Sequence, residues 1–361
     1  MGLPELTFSL KKAADTVASR VSAGSVAMIL RDAKANGVYA IHRDSDIPTE
    51  LGAANIAAIK RAMVGYINKP SVVYVCVIAS AADISTGFDA LSAYSYDYLV
   101  GPVDISAEDA TALGGLVKTQ RAKRYVGKVI LPNTAADYEG VINFVSTNIK
   151  SGGSTFTPAQ FASRIAGVLA GTPANCSATY AALDEVTAVD AVSDPDTAVD
   201  AGKLILVDDG RHIKLGRAVT SKVTLTSGEP AALKKIKLVS TIDLIRYYAV
   251  TTVEDEYLGK CANSYDNKCI LLTALTDYLA SLEAQDILVE SSSKAQLDAD
   301  AIRSYLLAQA TASSDTEELN RIKALSDDEL RKEDTGSHVF LALSGQVMDA
   351  MEDFHIVLEV Q

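Results

Sequence analysis

Few side chains in this sequence are spaced for catalytic or metal chemistry. None of the histidines falls in an HxH or HExxH pattern. Neither Ser25 nor Ser344 has the flanking glycines of a GxSxG nucleophile motif. We therefore predict no catalytic residue and no metal site, and interpret the four histidines as solvated or hydrogen-bonded side chains: His42, His212, His338 and His355.

Cofactor binding is not indicated either. Gly259-Lys260 lacks the upstream glycine of a phosphate-binding loop, and Gly152-Gly153 lies in a predicted loop. The acidic run at 327–329 falls in the first turn of a predicted helix, where it complements the helix dipole. The cysteines fit neither a CxxC zinc site nor a disulfide framework and are interpreted as reduced thiols. They are Cys76, Cys176, Cys261 and Cys269.

Composition excludes several classes of protein. The 361 residues carry a net charge of -13, which disfavours binding to nucleic acid or anionic lipid. The start shows neither a signal peptide nor a myristoylation pattern, and the longest apolar run, about eight residues, is too short to span a bilayer. With 48% hydrophobic residues, we expect a folded, soluble protein.

The first half of the chain alternates β-rich runs with helices. Five continuous apolar segments predict buried strands: 25–30, 72–78, 96–100, 126–131 and 203–207. Helices are predicted at 53–67, at 106–118 with Ser106 as cap, and from Thr157-Pro158 to a stop at Gly171. This order predicts an α/β fold, a mostly parallel sheet with helices on both faces.

Three further segments complete this region. The turn at 208–210 is expected to add an antiparallel strand to the edge of the sheet. The helix at 53–67 should bury one face carrying Ile56, Ile59, Met63 and Ile67. Residues 181–201 give no firm periodicity and are predicted to be irregular.

From about residue 241 the pattern changes to longer helices, at 269–283, 298–308 and 326–333, followed by strand-like runs at 339–343 and 354–360. The sequence therefore predicts an α+β C-terminal domain.

Both chain ends alternate apolar and polar residues, as strands do. The apolar positions are Leu6, Phe8 and Leu10 at one end and Phe354, Ile356, Leu358 and Val360 at the other. Such strands can add to the sheets of their own chain or to an edge on another copy. The pattern alone leaves both possibilities open.

Several longer segments carry a resemblance to a known family. The opening 2–6 (GLPEL), followed by 24–32 (GSVAMILRD), resembles the start of tail sheath proteins from contractile, myophage-like tails, and residues 161–173 (FASRIAGVLAGTP) resemble their middle. The C-terminal third is similar in order and spacing at 257–260, 263–268, 335–341 and 348–353. The signature positions there are Asn263, Ser264, Tyr265, Asp266, Asn267, Lys268, Gly336, Asp349, Glu352 and Asp353. The similarity is greatest to sheaths of Gram-positive phage tails and R-type, diffocin-like bacteriocins, although 154–157, 181–201 and Ser22-Ala23 depart from the pattern.

This resemblance implies an architecture and a set of partners. It implies an N-terminal linker arm (1–20), an α/β sheath domain (21–240) likened to subtilisin without its catalytic residues, a tube-facing domain (241–350) and a C-terminal linker strand (351–361). Family sheaths stack as six-membered rings around an inner tube and exchange terminal strands between subunits. The expected partners are other copies, the tail tube protein and the baseplate and terminator proteins, with assembly in the bacterial cytoplasm before release in a phage tail or bacteriocin; no nucleic acid, membrane insertion or cofactor is implied.

Two other classes of function remain as alternatives. An enzyme on the same scaffold, a hydrolase or a nucleotide-dependent transferase, would place convergent polar residues at the carboxyl ends of the strands. A monomeric binding module would stay small in light scattering, whereas sheath subunits form tubes.

Overall fold

The computed structural model describes residues 21–34, 36–123 and 127–358, and the chain divides into two compact units. The α/β unit contains the described residues up to 244 together with 349–358. The inserted unit contains residues 245–348. The chain therefore leaves the α/β unit once and returns to it near its C-terminus.

A seven-stranded sheet forms the centre of the α/β unit, in the order β10-β6-β5-β4-β1-β3-β2. Its strands are β1 (Val26–Arg31), β2 (Gly37–Ile41), β3 (Val73–Ile78), β4 (Tyr98–Val100), β5 (Lys128–Pro132), β6 (Val141–Phe144) and β10 (Lys203–Leu204). All neighbouring pairs are parallel except β2 with β3. The predicted mixed α/β fold with a mostly parallel sheet is confirmed.

Helices cover the two faces of this sheet because successive side chains of a strand point to opposite sides. They are α1 (Ala53–Met63), α2 (Ile84–Leu91), α3 (Ala107–Lys123), α4 (Pro158–Ala170) and α5 (Pro195–Asp200). On β1, Met28 packs in the cluster that contains residues of α1 and α4. Its neighbour Ile29 packs in the cluster that contains residues of α2 and α3.

Helix α4 shows how local sequence fixes an element. The Thr157 hydroxyl accepts from the Gln160 backbone N–H while the Gln160 side chain accepts from Thr157, a capping box followed by Pro158 at the first helical position. Within the helix, a Cβ on Gly167 would lie 2.2 Å from the Ala62 carbonyl oxygen. A glycine is therefore what lets α4 approach α1 so closely.

Several predictions for this unit were wrong in detail. Helix α1 ends at Met63, and Ile67, expected on its buried face, is 56% exposed. The turn at 208–210 does join an antiparallel pair, β11 (Leu206–Asp208) and β12 (Ile213–Leu215), but this pair is a separate two-stranded sheet. The antiparallel edge strand is β2, and the predicted strand at 203–207 is divided between β10 and β11 because these belong to different sheets.

The segment predicted to be irregular contains regular structure. Strand β9 (Val186–Ala188) pairs with β7 (Ile149–Ser151), which also pairs with β8 (Ser154–Phe156). Helix α5 begins after Asp194, whose side chain accepts from the Thr197 N–H. Asp194-Pro195 is an ordinary helix-start signal that the sequence interpretation missed.

The inserted unit is mainly helical. Helix α6 (Ile236–Thr252) runs into it from the α/β unit, and α7 (Tyr265–Glu283), α8 (Ala299–Ala312), α9 (Thr316–Ala324) and α10 (Asp327–Leu330) follow. Strands β13 (Lys294–Leu297) and β14 (Leu341–Ser344) form an antiparallel pair. Short turns complete the described elements: 3-10 turns at Asp44–Asp46 and Ala231–Lys234 and a π turn at Val253–Tyr257.

Helix α7 starts one turn earlier than predicted. The Ser264 hydroxyl accepts from the Asn267 N–H and caps the helix, so residues 265–268, which precede the helix predicted at 269–283, are its first turn. None of the described helices is both long and apolar enough to cross a membrane.

Candidate functional site: the C-terminal segment

The C-terminal segment, defined here as residues 349–358, is where the chain re-enters the α/β unit. It contains none of the regular elements, yet its two halves differ in their contacts. Residues 349–353 are held by charged and hydroxyl side chains, and residues 354–358 are exposed.

Three acidic side chains attach the first half. Lys235 Nζ lies 2.5 Å from Asp349 Oδ2 and 3.0 Å from Glu352 Oε2. Arg217 pairs with Asp353 and lies 3.8 Å from Glu352. The hydroxyls of Thr179 and Ser177 donate to Glu352 Oε1 at 2.7 and 2.9 Å. We call these seven residues the anchor cluster: Ser177, Thr179, Arg217, Lys235, Asp349, Glu352 and Asp353.

Backbone pairing brings the two basic residues of the anchor cluster together. Val219 and Lys235 form an antiparallel bridge, and the Ile236 N–H donates to the Ala218 carbonyl at 3.0 Å. The Thr179 hydroxyl also accepts from the Ala218 N–H at 3.0 Å. Thr179 lies about 40 positions before Arg217 and about 60 before Lys235 in the sequence, yet all three are held around the Glu352 carboxylate.

Glu352 is the centre of the anchor cluster. Its side chain is only 6% exposed. Burial by itself would raise the pKa of Glu352, but the hydrogen bonds from Thr179, Lys235 and Ser177 outweigh burial and lower the pKa below its ordinary value. The pKa of Lys235 is raised, since its pairing with Asp349 and Glu352 outweighs its own desolvation. Glu352 is therefore held as a carboxylate.

The second half of the segment presents apolar side chains to solvent. Phe354, Ile356, Val357 and Leu358 are between 69% and 88% exposed, and Met351 is 86% exposed. Contiguous exposed apolar side chains of this kind mark an interaction site on a folded protein.

The strand predicted at 354–360 is not formed at residues 354–358 of the single chain. An extended segment needs a neighbour for its backbone N–H and C=O groups before it becomes part of a sheet. Phe354, Ile356 and Leu358 are therefore exposed without facing a common partner, and their pairing with another copy stays a prediction. Leu6, Phe8, Leu10 and Val360 lie outside the described residues.

The C-terminal signature positions separate into two groups. Asp349, Glu352 and Asp353 meet in the anchor cluster. Asn263 and Gly336 meet in the inserted unit, where Asn263 Nδ2 donates to the Gly336 carbonyl at 2.7 Å and to the His338 carbonyl at 3.0 Å.

The remaining signature positions support the start of α7. Ser264 caps the helix, and Asn267 Nδ2 donates to the Ala262 carbonyl at 2.8 Å. Tyr265, Asp266 and Lys268 belong to its first turn, and the Lys268 ammonium lies 3.5 Å from the Thr335 hydroxyl. These residues hold local structure together.

The sequence interpretation missed the partners of the three acids. Ser177, Thr179, Arg217 and Lys235 belong to no motif that the sequence analysis singled out. Only the fold places them side by side.

A cleft of about 590 Å³ lies beside the carboxyl ends of β4 and β5, where an α/β enzyme would bind its substrate. Its polar side chains already have local roles. The Ser106 hydroxyl accepts from the Asp109 N–H, Thr157 caps α4, and the Thr134 hydroxyl donates to the Pro132 carbonyl.

Comparison with known proteins gives consistent results. Residues 78–221 match the family described as the phage tail sheath protein central domain. The tail sheath protein of Clostridium phage phiCD119 is 31% identical over 367 residues, covering 99% of each chain. Both are named as tail sheath proteins, and neither name describes an enzyme.

Solved structures share the fold at low identity. The sheath tail protein of Listeria innocua matches with a TM-score of 0.68 at 14% identity, covering 79% of this chain and 92% of that one. The helical sheath of the anti-feeding prophage in its contracted state matches with a TM-score of 0.65 at 13% identity, covering 100% and 99%. Together with the full-length similarity to the phiCD119 protein, this shows that the chain belongs to the phage tail sheath family.

Proposed function

We propose that this subunit polymerises as stacked six-membered rings around an inner tail tube and that contraction of the resulting sheath drives the tube through a target cell envelope. The C-terminal segment joins neighbouring subunits by adding a strand to a sheet of the next copy. The observation that carries this proposal is the exposed apolar run at 354–358, which begins directly after the anchor cluster.

The arrangement fits a mechanical joint. Residues 349–353 are fixed to their own α/β unit by ion pairs and hydrogen bonds, so they can bear load. Residues 354–358 are uncovered, so they can pair elsewhere. On pairing, each backbone hydrogen bond contributes about 0.5–1.5 kcal/mol and each buried large apolar side chain about 1.5–3 kcal/mol.

Repetition of such a joint builds a tube. A contact between two different patches of the same subunit is heterologous, and with a twist it propagates as a helix instead of closing into a dimer. Solved relatives include a contracted helical sheath and a six-fold symmetrised baseplate. We infer from these that this chain assembles with copies of itself and meets baseplate, tube and terminator proteins.

Contraction then takes place between two packings of nearly rigid subunits. The extended packing is held by a kinetic barrier, and the terminal segments act as hinges that keep neighbours connected. We assign the tube-facing role to the domain predicted at 241–350, and the outer role to the α/β domain, which we liken to a subtilisin scaffold without catalytic residues. Assembly takes place in the bacterial cytoplasm, and the sheath leaves the cell as part of a phage tail or bacteriocin.

The proposed strand joint can be tested by replacing alternate residues of the C-terminal segment. Replacing Phe354, Ile356 and Leu358 together by serine should leave a folded subunit, because these side chains are exposed, but should abolish long sheaths in negative-stain electron microscopy. The matched control replaces His355 and Val357 by serine, on the opposite side of the predicted strand, and should still give sheaths.

Deletion of residues 354–361 gives the coarser test. The truncated subunit should remain folded and soluble and form no long sheaths. Full-length helical polymers from the truncated chain, or equal loss of sheaths in the triple variant and its control, would contradict the proposal.

A further inference from the structure

Residues 21–24 and the C-terminal segment are both attached at one short loop and the helix end before it. This loop, residues 171–180, follows α4 and contains both Ala174, which binds Val21, and the hydroxyls of the anchor cluster. Residues 21–24 directly follow the N-terminal residues 1–20, and we call them the N-terminal root.

The N-terminal root is fixed by main-chain hydrogen bonds. The Ala174 N–H donates to the Val21 carbonyl at 2.9 Å, and the Gly24 N–H donates to the Ala170 carbonyl at 2.7 Å. Asn68 closes the arrangement, because its Nδ2 donates to the Ser22 carbonyl at 2.7 Å while its backbone N–H donates to the Gly171 carbonyl at 2.9 Å.

The C-terminal segment is fixed three residues further along the same loop. Ser177 and Thr179 donate to Glu352, as described above. The intervening residues form a tight turn in which the Cys176 N–H donates to the Pro173 carbonyl at 2.9 Å. A turn closed by its own hydrogen bond cannot lengthen without breaking that bond, so it resists separation of the two attachment points.

The loop has little freedom to absorb a displacement. A Cβ on Gly171 would lie 2.2 Å from the Asn68 carbonyl oxygen, so the loop and the Asn68 backbone are in close contact. At the other end, the Tyr180 N–H donates to the Leu215 carbonyl at 2.9 Å.

We propose that the 171–180 loop couples the N-terminal root to the C-terminal segment, so that loosening of the C-terminal segment at Glu352 loosens the N-terminal root at Val21 and the reverse. A coupling free energy between two sites is reciprocal by thermodynamic necessity. Its significance for a sheath rests on the proposed function: if both ends join neighbours, tension applied at one joint reaches the other within a single subunit.

Hydrogen exchange followed by mass spectrometry on the full-length, dispersed subunit tests the coupling. Glu352→Ala removes the acceptor for Ser177 and Thr179. Peptides containing the Ala174 and Gly24 amides should then exchange faster, by roughly fivefold, the lower end of typical coupling. Glu352→Gln, which keeps the shape of the side chain, should have a smaller effect in the same direction.

The reciprocal variant is Asn68→Ala, which removes the bond to Ser22 but keeps the backbone bonds of residue 68. It should accelerate exchange of the Thr179 and Ala218 amides, which donate to Ser177 and Thr179 in the anchor cluster. Asp184→Asn is the control, because it removes an 81%-exposed carboxylate in the same unit and should change neither set of amides.

The outcomes separate this inference from the proposed function. If each variant accelerated exchange only at the amides next to its own substitution, the coupling would be overturned, regardless of whether the protein forms sheaths. Reciprocal acceleration together with normal sheaths from the Phe354, Ile356 and Leu358 variant would uphold the coupling and contradict the strand joint.

Discussion

Asp243 and Lys128 form a buried ion pair, with Asp243 Oδ2 2.9 Å from Lys128 Nζ and side-chain exposures of 4% and 1%. Arg121 on α3 donates to both oxygens of the same carboxylate at 2.9 and 2.7 Å. Burial raises the pKa of Asp243, but the two cations outweigh it and lower that pKa overall. The first part of α6 is thereby tied to β5 and α3 at one point.

We expect Asp243→Asn to destabilise the α/β unit strongly. The change leaves Lys128 and Arg121 buried without their counter-charge, and removal of one partner of a buried pair costs about 3–5 kcal/mol. Chemical denaturation of the full chain measures the loss.

Asp44→Asn is the matched control for this change. Asp44 and Lys60 pair at 3.7 Å with exposures of 70% and 55%, and such surface pairs contribute little. Equal effects of the two substitutions would show that the buried pair is not a major stabilising contact.

The anchor cluster should open in acid. Glu352 and Asp349 both have a pKa below the ordinary value, so their ion pairs contribute stability that is complete above the unfolded-state pKa and is lost as the pH falls through the folded-state pKa. Protease sensitivity around residues 349–353 should therefore rise only below about pH 4.

Glu352→Gln provides the comparison for this pH dependence. The variant should be more protease-sensitive at neutral pH and show less change in acid, because one of the two titrating carboxylates is gone. If protease sensitivity depended on pH identically in the variant and the parent protein, the assignment of the acid opening to Glu352 would be contradicted.

Gly167→Ala should separate α1 from α4. The added methyl group would lie 2.2 Å from the Ala62 carbonyl oxygen, and overpacking of this kind costs about 1–3 kcal/mol. The same substitution at Gly115, on α3 with nothing within 4 Å of the new Cβ, should stabilise by about 0.5–1 kcal/mol because alanine is the better helix former. Thermal unfolding of both variants distinguishes close packing from a general effect of alanine.

Asn263→Asp should release the loop that it holds in the inserted unit. The amide donor that contacts the Gly336 and His338 carbonyls would become a carboxylate oxygen facing two acceptors. We expect a loss of about 1–3 kcal/mol and faster exchange of the His338 amide, which donates to the Thr335 carbonyl.

The exposed Asn320 on α9 supplies the control for this substitution. Asn320→Asp makes the same chemical change without a loop to release. The His338 amide should exchange there as it does in the parent protein.

The sequence predicted the elements whose signals are local. Buried parallel strands such as β1 and β3 appear as continuous apolar runs, and α4 carries its own cap and stop. Strand β2 was missed because Gly37–Ile41 is only partly buried and because its antiparallel partner β3 lies far along the chain, beyond α1.

The candidate site was only half predictable. The alternation of apolar residues at Phe354, Ile356 and Leu358 predicts a segment that pairs as a β-strand, and this signal is visible in the sequence. The contact of Glu352 with Lys235 and Arg217 cannot be predicted from the sequence. A single charged residue has no periodicity, and it meets its partner only when the fold brings distant segments together.

The return of the chain to the α/β unit at Asp349 has a consequence for how such proteins diversify. Among the described residues, 245–348 lie between two segments of the α/β unit, so that intervening stretch can gain or lose length while the sheet and Glu352 keep their places. Variation in size among related subunits should therefore concentrate there.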